Sequence, residues 1–249
     1  MSSPPRFSGL EPAEQPAAYA NDLERHFYEN RARPLLKWKH YFEVYDRYLA
    51  RYRGRPVTLV EIGVFKGGSL QMWRSYFGPG AAIWGIDISP EVEEMRAEGF
   101  NILVGDQADP AFLARVAREV PRPDILIDDG GHRMEQQIAT FDALFPWLAD
   151  DGVYICEDLH TSYWKDFGGG HNAPGSYIEY SKKYVDSLNA WHSREPSLAP
   201  DAFTRSAWAM HYYDSMLVVE KRRMQPPESL RSWSAGVYRK IPAKGSGGV

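Results

Sequence analysis

Two short apolar runs, residues 125–127 and 153–156, each end in a pair of carboxylates: Asp128 and Asp129 after the first, Glu157 and Asp158 after the second. His132 follows Asp129 across two glycines. Carboxylates brought together repel and raise one another's pKa unless a cation lies between them. Asp129, Glu157 and Asp158, with no thiolate nearby, suit a hard, oxygen-seeking ion such as Mg2+, which also keeps positions for water or substrate. A single acidic pair at a strand end would merely cap a helix or face solvent. Two such pairs with a histidine between them predict a site.

For these acids to meet, the two runs must be neighbouring parallel strands buried on both faces, with the helix-length segment between them as the crossover. In such sheets ligands sit beyond the carboxyl ends of the strands. The sequence upstream follows the same plan. Residues 57–62 read as a β-branched strand, 63–68 as a glycine-rich turn, 69–77 as a helix, and 82–86 as a second strand ending in Asp87. Glycines at a strand–helix turn let backbone amides approach a ligand, and the helix N-terminus favours a negative group. Asp87 stands where a carboxylate accepts hydrogen bonds from ribose hydroxyls. The spacing is E-x-G-x-x-x-G-G-S from Glu61 to Ser69, not the G-x-G-x-x-G of dinucleotide dehydrogenases. Loop, Glu61 and Asp87 together predict a nucleoside-bearing cofactor. A third strand, 100–104, runs into Asp106 and Gln107, which either reach an adenine edge or precede a helix cap at Asp109-Pro110. With crossover helices at 110–120 and 132–148, the alternation gives an α/β fold: a right-handed, doubly wound parallel sheet.

The remaining segments frame this unit. Residues 1–16 carry four prolines and read as an arm, followed by a polar helix from about 17 to 30. A second helix opens at Pro34, with Leu35, Trp38, Tyr41, Phe42, Tyr45, Tyr48 and Leu49 recurring at three- and four-residue steps. That stripe is a core-packing face; alternatively Lys37, His40 or Tyr41 roofs a ligand pocket. Gly54 and Pro56 close the section. After Asp158, the stretch through Gly168, Gly169, Gly170, Asn172 and Pro174 reads as a long flexible loop, a candidate lid. Its Tyr163 and Trp164 either stack on a substrate face or pin the loop to the core, and His171 is a solvated loop residue. Residues 176–192 read as a helix, and 204–223 as a hairpin turning at Tyr213-Asp214 and closing the sheet edge. Within it His211 is structural, and Lys221, Arg222 and Arg223 are a solvated strand end. The tail ends in KGSGGV. The expected division is 1–54 as N-terminal arm and helical cap, 55–223 as the catalytic domain, and 224–249 as tail.

Composition narrows the class. A 249-residue chain with 43% hydrophobic and 25% charged residues is long enough for a sizeable core and ordinary for a soluble protein. The net charge of −4 gives no electrostatic reason for a nucleic-acid or anionic-membrane partner. Cys156 is the single cysteine and, inside a buried run, a core residue. No run suits a membrane span and the N-terminus lacks a secretory pattern, so a cytoplasmic protein is expected.

The segments EIGVFKGGS, GIDISP, IDDGGH and ICEDLHTSYW together resemble the metal-dependent sugar O-methyltransferases of macrolide tailoring. The rhamnosyl O-methyltransferase and cephalosporin-hydroxylase group, and mycobacterial enzymes that methylate mannose or rhamnose, look similar. The resemblance covers roughly residues 35–220. It implies a Rossmann-like methyltransferase fold, with a mostly parallel seven-stranded sheet, a C-terminal antiparallel hairpin and N-terminal helices. It implies S-adenosylmethionine at Glu61, Gly63, Gly67, Ser69 and Asp87, Mg2+ at Asp129, Glu157 and Asp158, and a general base at His132. A sugar-containing acceptor and a homo-oligomer are the expected partners, in polysaccharide or natural-product biosynthesis.

The chemistry is coherent from its parts. A sugar hydroxyl holds its proton too tightly to attack at neutral pH, and coordination to Mg2+ lowers that pKa. A neutral histidine suits the proton transfer near pH 7. Competing readings are a catechol or small-phenol O-methyltransferase, an NAD-dependent oxidoreductase, and a non-catalytic scaffold that binds a nucleoside or glycan. The glycine spacing argues against the oxidoreductase, and the scaffold leaves the acidic cluster unexplained.

Overall fold

A computed structural model of the chain describes residues 13–234 and 236–239. The expected N-terminal arm, up to residue 12, and the end of the tail, from residue 240, lie outside the described residues. Seven strands form one mostly parallel sheet: β1 (Thr58–Ile62), β2 (Ala82–Asp87), β3 (Asn101–Val104), β4 (Ile125–Asp128), β5 (Val153–Cys156), β6 (Ala207–Tyr213) and β7 (Met216–Lys221). Their hydrogen-bonded order is β3-β2-β1-β4-β5-β7-β6. The chain divides into two compact units, the first ending at Gly105 and the second starting at Asp106.

In the first unit β2 pairs in parallel with both β1 and β3. Leu59, Val60, Glu61 and Ile62 are all buried, as a strand covered on both faces requires. Helix α1 (Asp22–Glu29) is shorter than expected and begins at an Asn21 cap, whose side chain accepts from the Glu24 amide. Helix α2 (Tyr41–Leu49) begins seven residues later than the periodicity from Pro34 predicts. Two contacts hold residues 34–40 out of helix. Lys37 dives inward, its side chain 2% exposed, to within 4.0 Å of Glu61. Pro34 presses its carbonyl against Gly68, where a Cβ would have no room. From Tyr41 the expected stripe packs inward, with Tyr45 edge-on to Trp73 of α3 (Gly68–Phe77) at 5.1 Å.

In the second unit every residue of β4 and β5 is buried, Cys156 among them, as expected for a core cysteine. β5 pairs in parallel with β4 and antiparallel with β7, and β7 with β6, so the expected hairpin is present. Helices α4 (Pro110–Glu119), α5 (Met134–Leu144) and α6 (Tyr177–Asn189) match the expected helical segments to within a few residues. His211 serves the hairpin, its Nε2 lying 3.0 Å from Glu220.

Lys221 departs from its expected solvated position. Its Nζ donates to the carbonyls of Phe145, Pro146 and Leu148 at 3.0, 2.7 and 2.7 Å. The end of α5 leaves carbonyls without intrahelical donors, and a buried ammonium with three protons answers them. Burial pulls the Lys221 pKa down to about 8, with Arg122 adding to the effect. Arg222 and Arg223 are exposed as expected. The tail also carries an unexpected two-stranded ribbon of β8 (Leu230–Trp233) and β9 (Gly236–Arg239). No helix among the described residues is long and apolar enough to cross a membrane.

Candidate functional site

The first unit contributes a backbone cradle. The turn between β1 and α3 starts at Gly63 and ends at Gly67, with φ of 91° and 85°. A Cβ on Gly67 would strike Met95, so the position needs glycine for space as well as for its left-handed backbone. Asp87, at the end of β2, grips this turn. Its Oδ2 accepts from the amides of Val64 and Phe65 at 2.9 and 3.0 Å, and its Oδ1 from Ser89 at 2.9 Å. Phe65 adopts φ 51°, a costly backbone for a bulky residue, while its ring is exposed. Glu61 lies beneath, fully buried, accepting from Ser69 Oγ at 2.7 Å and Trp73 Nε1 at 3.0 Å. Thus Gly63 and Gly67 shape the cradle, Asp87 tightens it, and Glu61 with Ser69 forms its foundation together with Lys37.

The second unit contributes an acidic rim. β4 and β5 run side by side with Asp128 opposite Cys156, which brings the residues that follow each strand to the same end. Asp128 itself turns inward, and burial raises its pKa to about 6 even though Gln107 donates to it at 2.9 Å. Asp129 and Asp158 stay near the surface, and His132 stands between them. Its Nε2 is 3.8 Å from Asp129 and 3.5 Å from Asp158. Donor atoms of Asp129, His132 and Asp158 all lie within 4.8 Å of one another. The two carboxylates fit a hard divalent cation that prefers oxygen donors, with the imidazole beside them. Glu157, the third expected ligand, is buried beside this trio, which does not include it.

Backbone strain marks the same place. His132 and Asp158 have φ of 54° and 55°, a left-handed backbone that non-glycine residues rarely adopt. Thr161 ties the two together: its buried hydroxyl lies 2.9 Å from the His132 carbonyl and 2.8 Å from that of Asp158. Gly130 and Gly131 have no room for a Cβ, being packed against the side-chain amides of Gln107 and Gln136. Gln107 is committed to this turn, donating to Asp128 and Thr140 and accepting from Gly131. Asp106 accepts from Ala108, and Asp109 caps α4 through Ala111.

The segment after Asp158 is folded rather than an open loop. Short 3-10 turns span Leu159–Tyr163 and Lys165–Phe167, and Gly169 and Gly170 donate to Trp164 and Ser162. Trp164 packs edge-on to His160 at 4.7 Å and Phe167 at 5.5 Å, whereas Tyr163 lines a cavity with the hairpin. His160 itself is a residue the sequence reading missed. Its Nδ1 lies 4.0 Å from Asp158, and the hairpin turn at Ser215 holds its ring and amide. A signal was present: His160 follows Glu157 by three residues, as His132 follows Asp129. Thr161 gave none, because its part depends on two backbones distant in sequence.

Residues 60–159 match the family model described as a methyltransferase domain. The chain is 33% identical to mycinamicin VI 2″-O-methyltransferase of Micromonospora griseorubida over 87% of its length and 56% of that protein's. It is 36% identical to 8-demethyl-8-alpha-L-rhamnosyl tetracenomycin-C 2′-O-methyltransferase of Streptomyces olivaceus, over 73% of this chain and 50% of that one. Among solved structures it is similar to the MycE methyltransferase of the mycinamycin biosynthetic pathway in complex with Mg and SAH. The TM-score there is 0.70 at 34% identity, covering 81% of this chain and 54% of that chain. The chain spans about half the length of the curated relatives it matches.

Proposed function

We propose, from that likeness and from the acidic rim itself, that the chain transfers a methyl group from S-adenosylmethionine to a sugar hydroxyl, with Mg2+ as the metal. The observation that carries this is the trio of Asp129, His132 and Asp158 following neighbouring parallel strands, with their donor atoms within 4.8 Å of one another. Asp129 and Asp158 would hold the cation, with Glu157 at hand beside them. When bound, the ion supplies positive charge that lowers the pKa of a nearby hydroxyl. His132 accepts the proton at Nε2, the nitrogen that faces the carboxylates; its Nδ1 is buried without a hydrogen-bond partner. The imidazolium so formed sits between two carboxylates, which offset its charge. A hard ion held there would favour an acceptor rich in oxygen, such as a vicinal diol.

The cradle has a different task. Its glycines let the backbone approach the cofactor, and Asp87, oriented by three amides, keeps carboxylate lone pairs for ribose hydroxyls. Glu61 and Ser69 keep the cradle's base rigid. When bound, S-adenosylmethionine would supply the methyl group, and the part of these residues would be largely positioning. On this reading residues 55–223 form the catalytic domain, residues 1–54 an N-terminal arm and helical cap, and the protein is a cytoplasmic homo-oligomer.

Calorimetry of S-adenosylhomocysteine binding, with and without Mg2+, is the direct test. The expected result is cofactor-product binding in wild type and in Asp129→Ala, with the separate metal heat present only in wild type. Methyl transfer to glycosides should stop when the metal is chelated. Full turnover in the presence of excess chelator would overturn the metal's part in the reading.

A further inference from the structure

Beside the acidic rim lies a cavity of about 240 Å³, bounded by the 3-10 turn after Asp158, the start of α6 and the β6–β7 hairpin. Resting on the methyl-transfer reading above, we propose that this cavity seats the acceptor, and that it takes a single pyranose ring edge-first toward Asp158.

Size comes first. The cavity has about the liquid volume of eight water molecules, below the usual span of pockets that enclose drug-sized ligands. It admits one six-membered ring with its substituents and leaves a larger aglycone outside. Wall chemistry comes next. Tyr163 and Tyr212 line the cavity and are 52% and 44% exposed, so their rings are open to a ligand. Tyr212 is fixed in place because its hydroxyl donates to Ser181 of α6 at 2.9 Å. A pyranose has apolar C–H faces and a hydroxyl edge, so it asks for rigid aromatic walls with a few polar groups between them. Here Ile178 adds to the apolar wall, and His160 and Asp214 supply the polar groups.

Direction is given by His160. The same residue lines the cavity and lies 4.0 Å from the Asp158 carboxylate, so a ring seated there presents its edge toward the rim. The hairpin turn is committed to this arrangement: Ser215, at φ 60°, accepts from the His160 amide and offers its own carbonyl to Leu159.

Saturation-transfer NMR with methyl α-L-rhamnopyranoside tests the proposal, on protein first shown to bind S-adenosylhomocysteine. Saturation should reach the ring protons of the probe. Its Kd should rise about tenfold in Tyr212→Ala and in Tyr163→Ala, the span of a lost aromatic contact, while Tyr212→Phe stays close to wild type. Affinity for S-adenosylhomocysteine should be unchanged in all three, which also certifies their folding; if Tyr212→Ala does not fold, Tyr163→Ala decides. Unchanged probe Kd in the alanine variants overturns the cavity as the seat. So does absent saturation in protein that binds the cofactor product. Catechol binding at least tenfold more tightly than the pyranoside, and lost in the same variants, overturns the sugar assignment. Failure to bind S-adenosylhomocysteine at all would instead strike the methyl-transfer reading, so the two failures are distinguishable.

Discussion

The glycine turn of the first unit and the acidic rim of the second are built on opposite principles. In the turn, the acids are satisfied within the protein: Asp87 by three backbone amides, Glu61 by Ser69 and Trp73 with Lys37 near. In the rim, the His132 imidazole stands 3.8 Å and 3.5 Å from two carboxylates, and two of the three residues hold a left-handed backbone. The turn is a finished receptor made of main chain. The rim holds concentrated charge on a strained frame, which is the arrangement expected where a ligand completes the structure. Glu61, buried beneath the turn, should therefore report chiefly through stability, and residues of the rim chiefly through activity.

The sharpest way to break that contrast is His132→Ala. Methyl transfer should fall by about 10² to 10⁴ with S-adenosylhomocysteine affinity and melting temperature retained. Near-full turnover would remove His132 as the base. Next, Glu61→Gln should cost about 3–5 kcal/mol in denaturant unfolding, because it leaves the buried Lys37 ammonium without its carboxylate. A change confined to cofactor affinity would mean that Glu61 belongs to the binding surface instead. Lys221 offers a buried charge away from both regions. Its folded pKa of about 8 lies below the ordinary 10.5: the ammonium persists at neutral pH, but burial makes it less favoured than in the unfolded chain. The associated stability is fully present above pH 10.5 and lost as pH falls through 8, a swing of at most about 3 kcal/mol. Chemical denaturation of wild type and Lys221→Met across that window should show the rise only in wild type. The smallest effect is at Thr161→Val, which should weaken Mn2+ binding about tenfold or less by releasing the two strained residues, with Thr161→Ser restoring it. Unchanged Mn2+ affinity in the valine variant would make Thr161 a packing residue.

Much of this was legible in the sequence where local pattern and tertiary role coincide. Strands 125–128 and 153–156 are buried on both faces, so short apolar runs announce them, and the acids at their ends follow from the chain's direction. Legibility failed where a distant contact overrode local pattern. The stripe from Pro34 promised a helix, but Lys37 and Pro34 answer to Glu61 and Gly68, which periodicity cannot register. Lys221 reads as solvated beside Arg222 and Arg223 until the carbonyls after α5 are placed against it. Likewise, spacing could suggest His132 and Asp158 as partners but not their shared left-handed backbone or the threonine that links them.

The grip of Ser215 on His160 also sets an order in time. The two residues are 55 positions apart, so a ribosome that has just released His160 must add Ser215 much later. At ordinary elongation rates that interval is about 3–11 seconds. During it the nascent chain carries the complete acidic rim without the hairpin that steadies its neighbour. The β5 edge that β7 will cover is open over the same interval. Any chaperone that attends this chain has most to shield in those seconds.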